Sequence, residues 1–180
     1  MEKIIIEENL NIIISEYNNN ILLKEFIKKH YIDLINNLNN EITNIEITAT
    51  EILINDIQKY NKYNKYNDLN QFIRNIIKYS YTEKNTLLIA LIYLNKIKKS
   101  TKLGCVKQMF IISLIIAGKY HKDNNHSLIA WSKLCNLPKK KLLEYERTFL
   151  KILNYELYIN ENDFYYFYCK IQLYYYINIK

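Results

Sequence analysis

The stretch KQMFIISLIIAGK, residues 107 to 119, decides the fold, because residues 109 to 117 are apolar except for Ser113. A segment that is apolar on every side is buried on every side. The stretch is well short of the roughly 18 residues that a membrane span needs, and it is long for a buried strand. The sequence therefore predicts a central helix surrounded by other helices. Lys119 lies at its C-terminal end, where a cation complements the helix dipole.

The second part of the predicted core follows Pro138, a residue that suits the start of a helix. Apolar residues then recur at offsets of three and four on one stripe: Leu142, Phe149, Leu150 and Leu153. Glu146 lies inside this stripe, where a carboxylate is costly unless it meets a cation or several donors. Lys119 and Glu146 are therefore the main candidate site residues. Two simpler interpretations stay open: backbone carbonyls satisfy Lys119, or Glu146 forms an internal salt bridge, with Lys119 as one possible partner.

The composition excludes several classes of protein. The chain has 180 residues, enough for one domain with a real core. Its two glycines and one proline argue against an all-β fold with many tight turns, and they exclude glycine-rich nucleotide loops. The three cysteines fit neither a metal-ligand spacing nor a disulfide framework. Because the start of the chain also lacks a signal-peptide pattern, we expect a protein of the cytoplasm or nucleus, with no membrane association.

The net charge of +7 permits an acidic partner, but the lysines are spread along the helices rather than clustered with aromatic residues. We therefore expect no nucleic-acid binding. His121, Asp123 and His126 lie in one loop and are the only candidates for a metal site, which we do not expect in a polar turn. Cys105 has no local signature of thiol catalysis. The sequence thus predicts no catalytic residue, no cofactor, no metal and no small-molecule substrate.

Helical periodicity extends over the whole chain. Five consecutive helices are predicted over residues 68 to 155, with the third buried, and two or three precede them. The predicted helices before residue 68 cover residues 3 to 17, residues 21 to 38, and a segment starting near Thr48 or Thr50, with a linker over 61 to 67. The predicted starts of later helices are a capping box of Asp68 and Gln71, a cap at Ser80 or Thr82, a cap at Ser127, and a last helix from about Asn162.

Five helices around a buried third one resemble a cyclin box. Residues 115 to 120, IIAGKY, resemble the ending Ala-Ala-Lys-Tyr or Ala-Ala-Lys-Phe of the family's third helix. Residues 143 to 153, LEYERTFLKIL, resemble the fifth-helix pattern Leu-x-x-Glu-x-x-Phe-Leu-x-x-Leu. Further segments are similar to the Pho-type cyclins, also called P/U-type: residues 72–79, 92–94, 130–133 and 155–159, followed by Phe164 and Tyr168.

The resemblance implies an all-α protein with a single cyclin box. The implied domains are an N-terminal helical extension over 1–46, a cyclin-box domain over 47–170 with its core at about 68–155, and a tail over 171–180. It also implies a regulatory subunit, not an enzyme, that binds and activates a cyclin-dependent protein kinase. The family's kinase-binding positions correspond to Lys119 and Glu146, with apolar neighbours on the same face: Ile116, Tyr120, Leu150 and Tyr155.

Three positions depart from the family pattern. The arginine of the first helix is Asn75, and the aspartate of the second-helix Tyr-x-Asp-Arg is Asn95. We expect these two amides to face each other in place of an ion pair. Gly118 stands where the family has alanine, which costs about 1 kcal/mol of helix propensity. The alternatives to a kinase regulator are a cyclin-fold scaffold or transcription-factor-like module that binds nucleic acid or another protein, and a purely structural protein.

Overall fold

The computed structural model describes residues 2–16, 41–60, 68–98, 105–122 and 125–179. These residues contain helices and no strand, so the all-α prediction is confirmed. The helices are α1 (Glu2–Glu16), α2 (Asn44–Tyr60), α3 (Leu69–Tyr79), α4 (Lys84–Ile97), α5 (Val106–His121), α6 (Leu128–Cys135), α7 (Lys139–Ile152) and α8 (Glu161–Ile179). None of them is long and apolar enough to cross a membrane. The helix predicted over 21–38, the linker over 61–67 and Gly104 lie outside the described residues.

The chain divides into two compact units, residues 1–49 with 159–180 and residues 50–158. In the first unit α1 packs against α8. Both helices contribute buried apolar side chains: Ile6, Leu10, Ile13, Tyr168, Ile171 and Leu173. Because α8 continues without a break beyond residue 170, the boundary predicted between the cyclin-box domain and a tail at 171 falls inside a helix.

The second unit is built around α5, which packs against α3, α4 and α7. Every side chain from Met109 to Ala117 is buried, as the sequence predicts. The one polar member, Ser113, donates its hydroxyl proton to the carbonyl of Phe110 at 2.8 Å, so its burial leaves no donor unsatisfied. The helix α4 is equally enclosed, because every residue from Thr86 to Leu94 is buried. The unit therefore has two helices whose middle stretches are buried on every side, whereas the sequence predicts one.

Two of the predicted helix caps are wrong. Asp68 precedes α3 but caps no backbone N–H, because its carboxylate pairs with the Lys107 ammonium at 3.1 Å. The Lys107 ammonium also holds the pKa of Asp68 below its usual value, mainly through this hydrogen bond. The helix α4 begins after Glu83 rather than after Ser80 or Thr82. The hydroxyls of those two residues hydrogen-bond each other instead.

The cap predicted at Ser127 is confirmed, since its hydroxyl oxygen accepts the backbone N–H of Ala130 at 3.2 Å. The helix α7 begins directly after Pro138, as its sequence indicates.

The helix α2 begins at Asn44, several residues before the predicted start at Thr48 or Thr50. Thr43 and Glu46 have the Thr-x-x-Glu spacing of a capping box, and the structure forms the half of it in which Glu46 reaches back to the Thr43 N–H. The Thr43 N–H donates to the Glu46 carboxylate at 2.8 Å, and the Thr43 hydroxyl oxygen accepts the N–H of Ile45 at 3.2 Å. Glu46 is fully buried, and its other carboxylate oxygen accepts a hydrogen bond from the Gln172 amide at 2.8 Å.

Candidate functional site

Lys119 and Glu146 meet at one edge of the second unit. Lys119 lies in the last turn of α5, and its ammonium donates to both carboxylate oxygens of Glu146 in α7, at 2.6 and 2.8 Å. The Lys119 side chain is 42% exposed and the Glu146 side chain is 13% exposed. The structure therefore favours the internal salt bridge left open by the sequence. The carboxylate on the apolar stripe of α7 is satisfied by this lysine.

The packing of α5 on α7 explains this position. Leu142, Phe149 and Leu153 bury one side of α7, which brings Glu146 close to α5. Along α5 the burial ends between Ala117, which is fully buried, and Lys119, which is exposed. The last turn of α5 thus leaves the core where the lysine can reach across to α7.

Gly118 has a local reason to replace the family's alanine. A Cβ atom at this position would lie 3.2 Å from the side-chain oxygen of Asn125, closer than carbon and oxygen usually approach. An alanine would therefore require the Asn125 side chain to shift by a few tenths of an ångström.

The other predicted site residues differ in exposure. Tyr120 is 52% exposed and Tyr155 is 62% exposed, while Leu150 is half-buried. Ile116 is only 2% exposed, because α5 is buried on all sides at that point. In the free chain this side chain therefore contributes to the core, and its predicted place among the kinase-binding residues stays a prediction. Tyr120 directly follows Lys119, and Tyr155 lies in the segment that leaves α7.

The buried hydroxyl of Tyr93 connects the end of α5 with the segment that follows α7, and the sequence did not predict this contact. The hydroxyl of Tyr93 in α4 donates to the carbonyl of Leu157 at 2.7 Å and lies 3.1 Å from Nε2 of His121. Because the single hydroxyl proton goes to Leu157, His121 donates its Nε2 proton to the Tyr93 oxygen. Burial, with a smaller electrostatic contribution from Tyr120, raises the pKa of Tyr93. Burial lowers the pKa of His121. A tyrosine inside an apolar helix is the sequence signal for such a bond, since a buried hydroxyl needs a partner.

The backbone at the end of α7 holds Tyr155 in an uncommon conformation. Asn154 and Tyr155 both have positive φ angles, 52° and 58°. The Tyr155 N–H donates to the carbonyl of Leu150 at 2.9 Å, which closes the turn. A bulky residue in the left-handed region is unusual, and such positions cluster at functional sites. The turn fixes the backbone from which the exposed Tyr155 side chain projects.

Asn75 and Asn95 form different contacts from those expected. The side-chain oxygen of Asn75 accepts a hydrogen bond from the Gln71 amide at 2.8 Å, and that of Asn95 accepts one from the Lys98 ammonium at 3.0 Å. Each amide is therefore bonded within its own helical segment, and the predicted facing pair is wrong. An arginine next to Asn75 makes an ion pair that the family pattern did not suggest. Arg74 lies 2.6 Å from the carboxylate of Glu51 in α2, whose side chain is only 6% exposed.

The described residues offer no metal site, and the cavity beside Trp131 is small. They contain no cluster of three or more His, Cys, Asp or Glu residues placed to hold an ion. Asp123 lies outside them, and the ring Nε2 of His126 lies 2.7 Å from the carbonyl of Ser80. A cavity of about 40 Å³ beside Trp131 is far smaller than the roughly 300–1,000 Å³ typical of small-molecule sites. Burial raises the pKa of the Cys169 thiol to about 12, so this cysteine is no thiolate nucleophile.

Comparison with known proteins matches residues 25–158 to the family model for the cyclin N-terminal domain. The G1/S-specific cyclin pas1 of Schizosaccharomyces pombe is 32% identical over 104 residues, which cover 53% of this chain and 25% of that protein. Two proteins of Saccharomyces cerevisiae are similar at the same level. PHO85 cyclin-5 is 30% identical over 104 residues, 52% of this chain and 45% of that protein. PHO85 cyclin-1 is 31% identical over 105 residues, 53% of this chain and 37% of that protein. The match thus spans less than half the length of each relative.

Proposed function

The chain belongs to the cyclin family, and from this premise we propose that it is a regulatory subunit that binds and activates a cyclin-dependent protein kinase. Two of its relatives carry the name of PHO85 in their own names. We propose a kinase of that class as the partner. The proposal assigns the chain no catalytic residue, cofactor or metal of its own, and it places the protein in the cytoplasm or nucleus.

The observation that carries the proposal is the salt bridge of Lys119 and Glu146 at an exposed edge. The resemblance assigns to these two positions the hydrogen bonds with the kinase near its mobile C-helix. An ammonium group has three protons and a carboxylate has about four lone-pair positions. The bonds between Lys119 and Glu146 leave part of both sets available. A backbone carbonyl of the partner can therefore accept a hydrogen bond from Lys119, and a backbone N–H of the partner can donate one to Glu146, without breaking the salt bridge.

The apolar part of the proposed docking face consists of Tyr120, Leu150 and Tyr155. Tyrosine is one of the residue types that contribute most binding energy at protein interfaces. Both tyrosines are more than half exposed in this chain, so a partner can bury them. Leu150 supplies a smaller apolar area between the exposed and buried sides of α7. The face lies within residues 50–158, inside the predicted cyclin-box domain of residues 47–170.

The proposed mechanism is a shift in a conformational equilibrium of the kinase. A cyclin that binds the active placement of the kinase C-helix better than the inactive placement raises the population of the active state. The size of this shift is limited by the difference between the two affinities. Activation is therefore expected to fall in parallel with binding when the docking face is changed.

The test is binding of the purified chain to recombinant PHO85 kinase by isothermal calorimetry. Lys119→Ala and Glu146→Ala are expected to weaken binding at least tenfold, because a charged group left unpaired in an interface costs roughly 2–5 kcal/mol and 1.4 kcal/mol is a factor of ten. The matched controls are Lys96→Ala and Glu144→Ala, which change exposed residues of the same types. Both controls should bind like the original chain.

Kinase turnover on a generic peptide substrate is measured with the same variants. Loss of binding in the controls as well, or unchanged binding in both docking variants, contradicts the assigned docking face. Failure of the unmodified chain to bind or activate any cyclin-dependent kinase contradicts the function itself. A salt-dependent shift of DNA or RNA in a gel would then favour the scaffold alternative.

A further inference from the structure

The outer side of α7 carries a concentration of positive charge, which we call the basic face. It comprises five exposed cations: Lys139, Lys140, Lys141, Arg147 and Lys151. The helix contains only two carboxylates, Glu144 and Glu146. Glu146 is already bound by Lys119, so Glu144 alone opposes the five cations. At about 100° per residue, Lys140, Arg147 and Lys151 share one stripe of the helix, and Lys139 and Lys141 flank that stripe on either side in the first turn.

The cations of the basic face differ from several others in the described ranges. Lys59, Arg74, Lys107, Lys119 and Lys122 each have a carboxylate oxygen within 3.1 Å. None of the five cations of the basic face has such a partner in the same ranges. Glu144 is four residues after Lys140 and three before Arg147, spacings at which helical ion pairs form. Glu144 can neutralise at most one of the five cations, so a net positive charge on this face stays available to a binding partner.

The start of α7 has the wrong charge for a helix N-terminus. Lysines occupy the first three positions, no acidic residue lies in the first turn, and Pro138 provides no side-chain acceptor. The helix dipole favours negative groups there and disfavours cations. A local rule that is broken without a structural gain is typical of a functional position. The structure of α7 contains no contact that offsets the unfavourable placement of these three cations.

We propose that the basic face binds an extended acidic peptide segment in substrates of the partner kinase. Binding of the peptide needs only this chain, whereas its role in substrate selection rests on the proposed function. From Lys139 to Lys151 the helix rises about 18 Å at 1.5 Å per residue. An extended peptide of about six residues covers this distance at roughly 3.3 Å per residue. Asp and Glu side chains of such a segment would pair with the cations.

The apolar character of the same surface favours a peptide over nucleic acid. Leu143 is 37% exposed and lies one turn from Lys139 and from Arg147 on the same side of the helix. It can contact an apolar side chain of the peptide. Single-stranded nucleic acids bind by stacking on exposed aromatic rings. The exposed residues of α7 include no aromatic ring, since Tyr145 is partly buried and Phe149 is fully buried.

The experiment measures fluorescence anisotropy of labelled peptides of about eight residues with the whole chain. One peptide contains Asp, Glu and a single Leu, and its control has Asn and Gln in place of the acids. The basic-face variant is Lys140→Gln/Arg147→Gln/Lys151→Gln. The control variant Lys78→Gln/Lys96→Gln/Lys133→Gln removes the same charge from exposed positions on other helices. We expect the acidic peptide to bind in a salt-dependent manner, at least tenfold more weakly to the basic-face variant and within threefold of the original for the control.

Three results overturn the inference. The first is equal weakening of peptide binding in both variants, which would show an effect of net charge alone. The second is no binding of the acidic peptide at low salt. The third is tighter binding of single-stranded or duplex DNA than of the peptide. The kinase is then added with substrates that carry either the acidic or the neutral segment. A chain that binds the kinase but not the peptide refutes only this inference. A chain that binds the peptide but no kinase refutes the proposed function and leaves the peptide site intact.

Discussion

Removing the ammonium of Lys119 is expected to destabilise the free protein more than removing the charge of Glu146. In Lys119→Met the apolar stem stays, but the Glu146 carboxylate loses the donor that lies 2.6 and 2.8 Å from its two oxygens. The Glu146 side chain is only 13% exposed, so water replaces that donor poorly. Leaving a buried acceptor unsatisfied costs about 1–3 kcal/mol. Because the pair lies at an exposed edge, we expect about 1–2 kcal/mol for this variant.

The reverse change leaves a group that water can reach. In Glu146→Gln the Lys119 side chain remains 42% exposed, and the amide oxygen still accepts one hydrogen bond. The expected loss of unfolding free energy is below about 1 kcal/mol. The loss of unfolding free energy is therefore expected to be larger in the variant whose remaining partner side chain is less exposed to water.

Urea unfolding followed by circular dichroism measures the difference. In a parallel thermal melt, 1 kcal/mol corresponds to a shift of about 2–4 °C in Tm for a chain of this size. Lys96→Met serves as the control, since Lys96 is exposed in the last turn of α4. The double variant shows whether the two side chains interact, because its effect then differs from the sum of the single effects. Equal losses in the two single variants, or a larger loss in Glu146→Gln, would refute the argument from burial.

Two further predictions concern the hydrogen bonds of Tyr93. Tyr93→Phe removes the hydroxyl that hydrogen-bonds to Leu157 and His121. This change should lower the unfolding free energy, measured by urea titration, by about 1–3 kcal/mol. A loss near zero would show that water replaces the hydroxyl. Because burial lowers the pKa of His121, its stabilising contribution is present above the ordinary pKa of 6.5 and is lost as the pH falls through the folded-state value. Comparing unfolding at pH 7.5 and pH 5, we expect a smaller loss in His121→Asn than in the original chain, and an equal loss would exclude this histidine as the cause.

The central features of the fold could be predicted from the sequence because they depend on local patterns. An apolar run too short for a membrane identified α5, and helical periodicity identified the buried side of α7. The predicted membership of the cyclin family and the similarity to Pho-type cyclins are confirmed by the family match and the relatives. The same signal was present in α4, where residues 87–94 are all apolar or aromatic, and it predicts the burial that the structure shows.

The predictions that failed depend on contacts between distant parts of the chain. Asp68 has the local pattern of a cap, but its carboxylate pairs with Lys107, which lies 39 residues further along the chain. A family position likewise gives no information about the exposure of a side chain, so the burial of Ile116 could not be read from the resemblance, and its role in kinase binding stays a prediction. The prediction that Asn75 faces Asn95 failed for a related reason. The resemblance to the family identified which residue was replaced, but not which residue the new amide would hydrogen-bond.

The sequence identified the charged residues of the candidate site but did not decide how they are arranged. Glu146 stands out as a carboxylate on an apolar stripe, and Lys119 as a cation at the end of a buried helix. Their direct pairing was one of the alternatives that the sequence left open. The roles of these residues in kinase binding stay predictions, as do those of Tyr120, Leu150 and Tyr155.

Under the proposed function, the closed salt bridge limits what electrostatics can contribute to kinase affinity. Lys119 and Glu146 already satisfy each other in the free chain, so a partner gains only the bonds that their remaining protons and lone pairs can form. Their net contribution to affinity is therefore smaller than the loss that truncation of either one causes, since truncation also leaves the other charge unpaired, and most of the affinity must come from the apolar residues. Tyr155 is suited to this role, because its left-handed turn is closed by a hydrogen bond to Leu150 and the following segment is held by Tyr93. A side chain that projects from a backbone fixed before binding loses less conformational entropy when the partner covers it.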